Sequence, residues 1–346
     1  MKKELLKLLV ITTLIGLVSS CDISLVTEDI EDLKDTKDTK DIEDTKDTKD
    51  PGGTDDLINL GSNSGRMQQF IRDISSYAHK SNSQFMIIPQ NGEELAFVDT
   101  RPSKGLLNSF INAIDGFGIE ELFYNDRGKA LNDRDRVSML QTIGKRVKIM
   151  VADYVTNDAD FSDSIAKSLK EGFIAFPRSK NNYDYQYIPA QITNENKDNI
   201  NTLGQAKNYL YLIGPSSKDF PSKNALIQAI AATNFDVILI DLFANGTAFT
   251  KSEIQQLKTK ANNGKRLVVS YISIGSAEKY RYYWKTGWGI GNPSWIKKNY
   301  DGYPDEFWIE FWNPEWREII FDYIDRIVTA GFDGAYLDNV EVYSRL

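Results

Sequence analysis

The chain is short of the residues that most often cross-link proteins or hold metals. Among its 346 residues there are one Cys and one His. A single Cys excludes a disulfide scaffold, and one His beside it leaves too few ligands for a zinc site of the usual composition. Cationic residues are outnumbered, 41 Lys and Arg against 49 Asp and Glu, which argues against a general nucleic-acid binder. What is present is a globular composition, 41% hydrophobic and 12% aromatic. At this length such a chain can bury a substantial core, in one large domain or two small ones.

The first 56 residues stand apart. Lys2 and Lys3, the apolar stretch Leu8 to Val18, and Leu17-Val18-Ser19-Ser20 before Cys21 read as an export signal. The apolar stretch is shorter than the ~20 residues of a spanning helix. Residues 1–21 resemble a bacterial lipoprotein signal, which implies cleavage before Cys21, lipidation of its thiol, and anchoring in a bacterial cell envelope. An ordinary secretory signal is the alternative. Residues 22–56 carry the near-repeat DTKDTKDIEDTKDTKD, with 14 acidic residues against five Lys. So few apolar side chains cannot offset the entropy of ordering the backbone, and a disordered tether is expected. The net charge of −8 belongs almost wholly to this tether. It therefore carries no information about a substrate.

From residue 57 the pattern becomes regular. Met67, Phe70, Ile71, Ile74, Tyr77 and Ala78 have helical spacing, and Phe85–Ile88 reads as a buried strand. Leu106, Leu107, Phe110, Ile111 and Ile114 mark another helix, before a short strand ending near Glu120. Helices around Val137–Ile143 and Ile165–Leu169 lead to strands Val147–Ala152 and Phe173–Phe176. After a polar, Asn-rich stretch at about 178–205 come the strand Tyr209–Ile213 and a helix at Leu226–Ile230. The strand Val237–Ile240 ends in Asp241, and Thr250 with Glu253 forms a capping box. Arg266–Ile274 is a strong strand. Asn313-Pro314 opens an amphipathic helix that Gly331 ends, and Phe332–Leu337 is the last strand. Eight continuously apolar strands separated by helices predict an α/β fold with parallel strands, a (β/α)8 TIM barrel over 57–346. A doubly wound open sheet is the alternative, though no G-x-G-x-x-G follows any strand.

In such barrels the working residues lie just beyond the strands' C-terminal ends. There stand Gln90, Asn91 and Glu93; Glu120 and Glu121; Asp153 and Tyr154; Asp241; Tyr271 and Ser273; and Asp338, Asn339 and Glu341. Carboxylates dominate, with no Cys, His or Lys nucleophile among them. That composition suits glycoside hydrolysis, in which one carboxyl protonates the leaving oxygen while a second attacks or activates water. It also suits Mg²⁺ or Ca²⁺, but these strand-end carboxylates have no D-x-D or EF-type spacing to support a metal, and no cofactor is called for. All six Trp (Trp284, Trp288, Trp295, Trp308, Trp312 and Trp316) fall in one segment. Most of it is the connection from Ser273 to Pro314, too long for an ordinary βα loop. Trp312 and Trp316 read as core; Trp284, Trp288, Trp295 and Trp308 are divided between packing and stacking on sugar rings.

The segments YISIGSAEKYRYYW, FDGAYLDNVEVY, IIPQNGEEL, GIEELFY and VADYV resemble the endo-α-1,4-polygalactosaminidase family, glycoside hydrolase family 114, over nearly all of residues 66–346. The resemblance implies a TIM barrel and hydrolysis of α-1,4-linked galactosamine-type polysaccharide. It matches Asp338 and Glu120 to the catalytic carboxyls, with Glu121 a neighbour of the latter. Tyr271, Ser273, Glu278, Arg281 and Asp241 would line the pocket. Gln90, Asn91, Tyr154, Trp284 and Trp308 are further substrate-binding candidates. The motif order is reversed relative to the family, so a circular permutation is expected. Residues 57–177 would be the second half-barrel, 178–205 a connector and 206–346 the first half. A surface lipoprotein that binds glycans or mediates adhesion without turnover is the competing reading.

Overall fold

The computed structural model describes residues 58–178, 186–215 and 217–346. Cys21, the signal and the acidic tether lie outside the described residues. Helix α1 (Asn63–Ser81) starts where the Ser62 hydroxyl accepts the Gly65 N–H at 3.0 Å. It buries Met67, Phe70, Ile71, Ile74 and Ala78, the face that the spacing predicts. The next apolar cluster departs from expectation. Only α2 (Asn108–Ile111), a single turn, is helical there. Leu106 bridges Phe97 and the Leu107 N–H donates to the Ala96 carbonyl, so the backbone is committed elsewhere before residue 108. The remaining helices are α3 (Arg134–Ile143), α4 (Asp158–Lys170), α5 (Lys223–Ala231), α6 (Lys251–Leu257) and α7 (Pro314–Ala330). Asp133, Asn157, Ser222, Thr250 and Asn313 each cap one of them by accepting a first-turn N–H. The Thr250–Glu253 capping box is formed, and Gly331, at φ 87°, ends α7 in the left-handed region.

Among the described residues eight parallel strands build the scaffold: β1 (Met86–Pro89), β2 (Gly116–Glu120), β3 (Lys148–Ala152), β4 (Ile174–Ala175), β5 (Tyr209–Leu212), β6 (Val237–Asp241), β7 (Leu267–Ser273) and β8 (Gly334–Asp338). Ladders join β5, β6, β7, β8 and β1 in that spatial order, and β2, β3 and β4 in another. A parallel bridge between Gln90 and Gly118 connects the two sets. Apart from β4 and β5, each strand thus pairs with its neighbours in sequence, and the last pairs with the first. The arrangement is barrel-like. Among the described residues no ladder joins β4 to β5; there the Phe176 and Tyr209 rings lie 5.4 Å apart.

Tyrosines fill much of the interior. Tyr336 of β8 crosses it to β2, where a Cβ on Gly118 would come within 1.8 Å of its hydroxyl. Glycine at 118 is what admits that ring. Tyr211 of β5 packs 5.5 Å from the Tyr336 ring and donates to Gln90 Oε1 at 2.9 Å.

The long connection after β7 is an antiparallel sheet, an arm of three strands. Tyr303–Ile309 lies between Ser276–Glu278 and Ile296–Tyr300. The tryptophans hold this arm to α7: Trp284 stacks on Phe307, Trp288 meets Trp295 edge-on, and Trp295 packs 5.3 Å from Trp316. Trp316 is core and donates its indole N–H to the Ile274 carbonyl at 2.9 Å. Among the described residues no helix is long and apolar enough to cross a membrane.

Candidate active site

The C-terminal ends of β1, β2, β6, β7 and β8 bring carboxylates together. Glu120 closes β2, and its peptide is gripped on both sides. Asn91, at φ 55°, accepts the Glu120 N–H on Oδ1 at 3.0 Å, and Arg136 donates to the carbonyls of Glu120 and Glu121 at 3.0 Å each. The Glu120 carboxyl faces inward and accepts the Tyr154 hydroxyl at 2.6 Å. Burial pushes its pKa up to about 8; the charge of Asp338 adds to this, while the Tyr154 hydrogen bond and Arg178 oppose it. Glu121 takes the left-handed conformation, at φ 55°, and lines the cleft beside Glu120. Its electrostatic neighbours are Asp126, Arg136 and Asp153.

Asp338 closes β8 with both oxygens engaged: Oδ2 accepts the Tyr271 hydroxyl and Oδ1 the Asn339 N–H, each at 2.7 Å. Burial raises its pKa to about 6, and the charge of Glu278 adds to the rise against those two hydrogen bonds. Of the two carboxyls, Glu120 is thus the weaker acid.

The other predicted residues fall into two groups. Asp241, Glu278 and Arg281 form a buried ion triad: Arg281 contacts Asp241 Oδ2 and Glu278 Oε2 at 2.6 Å each, and the Tyr323 hydroxyl at 3.0 Å. Ser273 shares a hydrogen bond with Ser276 at 2.6 Å and accepts the Asn339 side chain at 3.0 Å. These two sets line the β6–β8 side. Three further candidates for sugar contact are engaged with protein partners. Gln90 is buried, with its oxygen held by Tyr211. Asn91 Oδ1 accepts from the Glu120 N–H and from Arg136, and the residue lines the cleft beside Glu120. Trp308 is only 5% exposed, with Tyr300 stacked 4.3 Å from it, so that face has no room for a sugar. Trp284 is half-buried with one face on Phe307. Tyr154 is a buried partner of Glu120.

Glu306 and Arg136 carried no sequence signal. Glu306, on the arm, accepts from Ser276 and from Asn339 Nδ2, and burial together with the charge of Glu278 raises it to about 8. Arg136 comes from α3 and pairs with Glu93. Glu341, just past β8, is raised to about 7 by burial and by Asp338. A cleft of about 480 Å³ opens beside Glu120, lined by Asn91, Glu93, Arg136, Glu341 and Tyr343 among others. A larger cavity of about 570 Å³ lies at the opposite ends of β2 and β3, around Asp115 and Lys148, away from these carboxyls. Among the described residues no group of three His, Cys, Asp or Glu side chains is arranged to hold a metal ion.

Fold and site together define a barrel-like α/β protein with a carboxylate-lined pocket at its strand ends. The profile of glycoside-hydrolase family GH114 matches residues 191–346, and over that span the chain is akin to this family. Asp241, Tyr271, Glu278, Arg281 and Asp338 lie inside the match, and Glu120 outside it. Uncharacterized proteins of three organisms are similar to parts of the chain. That of Methanocaldococcus jannaschii is 35% identical over 151 residues, 43% of this chain and 41% of that protein. That of Thermotoga maritima is 32% identical over 35% of this chain and 37% of its own, and that of Deinococcus radiodurans 33% identical over 34% and 37%. The chain spans about two fifths of the length of the curated relatives it matches. The crystal structure of Aspergillus fumigatus Ega3 in complex with galactosamine is 30% identical over 32% of this chain and 39% of that one. Its TM-score of 0.26 is too low to bear on fold or site.

Proposed function

We propose that the protein is a glycoside hydrolase acting on α-1,4-linked galactosamine-type polysaccharide. Glu120 is the general acid that protonates the leaving oxygen, and Asp338 is the carboxylate that attacks the anomeric carbon or stabilises its developing charge. The observation that carries this reading is the pair itself: two half-buried strand-end carboxyls within electrostatic reach, one raised to about 8 and the other to about 6. Tyr154 and Tyr271 orient them, and Asn91 with Arg136 fixes the Glu120 backbone.

The same reading includes a circularly permuted barrel tethered through a lipid on Cys21. Permutation is supported by the motif order, by a family match confined to residues 191–346, and by β8 pairing with β1. The turn after β8 also touches the start of α1, where Asn63 donates to the Leu346 carbonyl at 3.2 Å. Incubation with partly deacetylated α-1,4-galactosaminoglycan tests the activity. Wild type should release oligomers, and Glu120→Gln should lower kcat by at least 100-fold with little change in the melting temperature. Turnover unaffected by that substitution would eliminate the mechanism. Saturable binding without turnover would favour a glycan-binding surface protein.

A further inference from the structure

We propose that Tyr280 is a preformed stacking platform for the apolar face of a pyranose ring, a sugar-contacting residue outside the Glu120–Asp338 pair. This rests on the glycan reading above. The ring of Tyr280 is 71% exposed, yet it is not a loose surface side chain. Its hydroxyl donates to Glu278 Oε1, and one face of the ring lies over the Arg281 guanidinium, 5.1 Å from its centroid. Arg281 is in turn 8% exposed and locked between Asp241, Glu278 and Tyr323. The tyrosine therefore caps a buried ion triad with one face and presents the other to solvent. Its rotamer is already selected by these partners, so a ligand laid on the outer face does not have to order it.

Its position ties it to the chemistry. Glu278, which holds the Tyr280 hydroxyl, also acts electrostatically on Asp338 and Glu306. The neighbouring aromatic rings are committed elsewhere. Trp308 is covered by Tyr300, Trp295 is buried, Trp284 lies on Phe307, and Tyr282 has the Arg326 guanidinium 4.2 Å from its ring. A six-membered sugar presents a face of C–H groups that matches a flat aromatic surface, while its hydroxyls and amino groups stay in water or reach the surrounding carboxylates.

The test is calorimetric binding of α-1,4-linked galactosamine oligomers, free and N-acetylated, to wild type, Y280A and Y280F, alongside turnover of the polymer. Y280A should weaken binding about three- to tenfold and raise KM with kcat little changed. Y280F keeps the flat ring without the hydroxyl and should retain most of the affinity. If Y280A does not fold, Y280L, bulky but not flat, carries the same expectation. Binding by Y280A within twofold of wild type overturns the platform. So does an equal loss in Y280F, which would assign the effect to the Glu278 hydrogen bond. Wild-type binding without turnover would sink hydrolysis while leaving the platform measurable. Wild type that binds no oligomer overturns both.

Discussion

Replacing Tyr154 with Phe removes a hydroxyl that donates to the Glu120 carboxyl and leaves the ring in place. In the intact site kcat/KM should be bell-shaped. Below about 6 Asp338 gains a proton, and above about 8 Glu120 loses the one it must deliver. The Tyr154 hydrogen bond favours ionised Glu120 and pulls its pKa down against burial, so deleting it lets that pKa rise. A hydrogen bond to a charged group contributes about 1.5–3 kcal/mol, and about 1.4 kcal/mol corresponds to one pKa unit. The lower end applies because Arg178 still favours the carboxylate. The alkaline limb should therefore move up by about one unit, while the acid limb, set by Asp338 and its Tyr271 and Asn339 donors, stays in place. The assay is kcat/KM on the galactosaminoglycan from pH 4 to 10 for wild type and Y154F, with Glu306→Gln as control. Glu306 is the rival, being raised to about 8 as well. An alkaline limb that ignores Tyr154→Phe but moves with Glu306→Gln would refute the assignment and make Glu306 the acid.

Two stability predictions follow from buried charge. Glu120, Glu306, Glu341 and Asp338 all have folded-state pKa values above their ordinary range, so the folded protein holds these protons more tightly than the unfolded chain. Their contribution to stability is complete below about pH 4 and is lost as pH rises through about 6–8, so the melting temperature should fall between pH 5 and 9. A flat or rising trend over that window would contradict the burial of these groups. At the other end of the strands, Lys260 pairs with Asp236 at 2.5 Å, both side chains fully buried, and also holds the Asn196 side chain and the Asp198 carbonyl. Lys260→Met strands the Asp236 charge and should cost about 3–5 kcal/mol in denaturant unfolding. A loss under 1 kcal/mol would show that solvent reaches the pair.

Most of the fold was legible because its elements have strong local signatures. Asn313-Pro314 and Gly331 bound α7, Thr250 with Glu253 opens α6, and continuous apolar runs locate strands such as Val237–Ile240 and Arg266–Ile274. The failure at Leu106–Ile114 has the same root. An apolar spacing reports burial, and backbone pairing with Ala96 and Phe97 decided the conformation there. For the site, the strand-end rule picked out Glu120 and Asp338 but could not say what other side chains touch. Glu306 and Arg136 arrive from an antiparallel arm and a helix, elements with no periodic link to the strand ends.

With one His and one Cys in the chain, carboxylates dominate the strand-end positions, and sequence alone determines that. Sequence also determines the alternation of strand and helix, because both are written in spacings of a few residues. Tertiary structure decided which carboxyls share a pocket, which of them is the weaker acid, and which aromatic ring keeps an open face. Those properties depend on burial and on partners far away in sequence, such as Tyr154 on Glu120 or Asp241 on Arg281, and no local pattern encodes them. The aromatic segment makes the difference plain. Its tryptophans, conspicuous in sequence, mostly pack the arm, while the exposed face belongs to a tyrosine seated on a buried arginine.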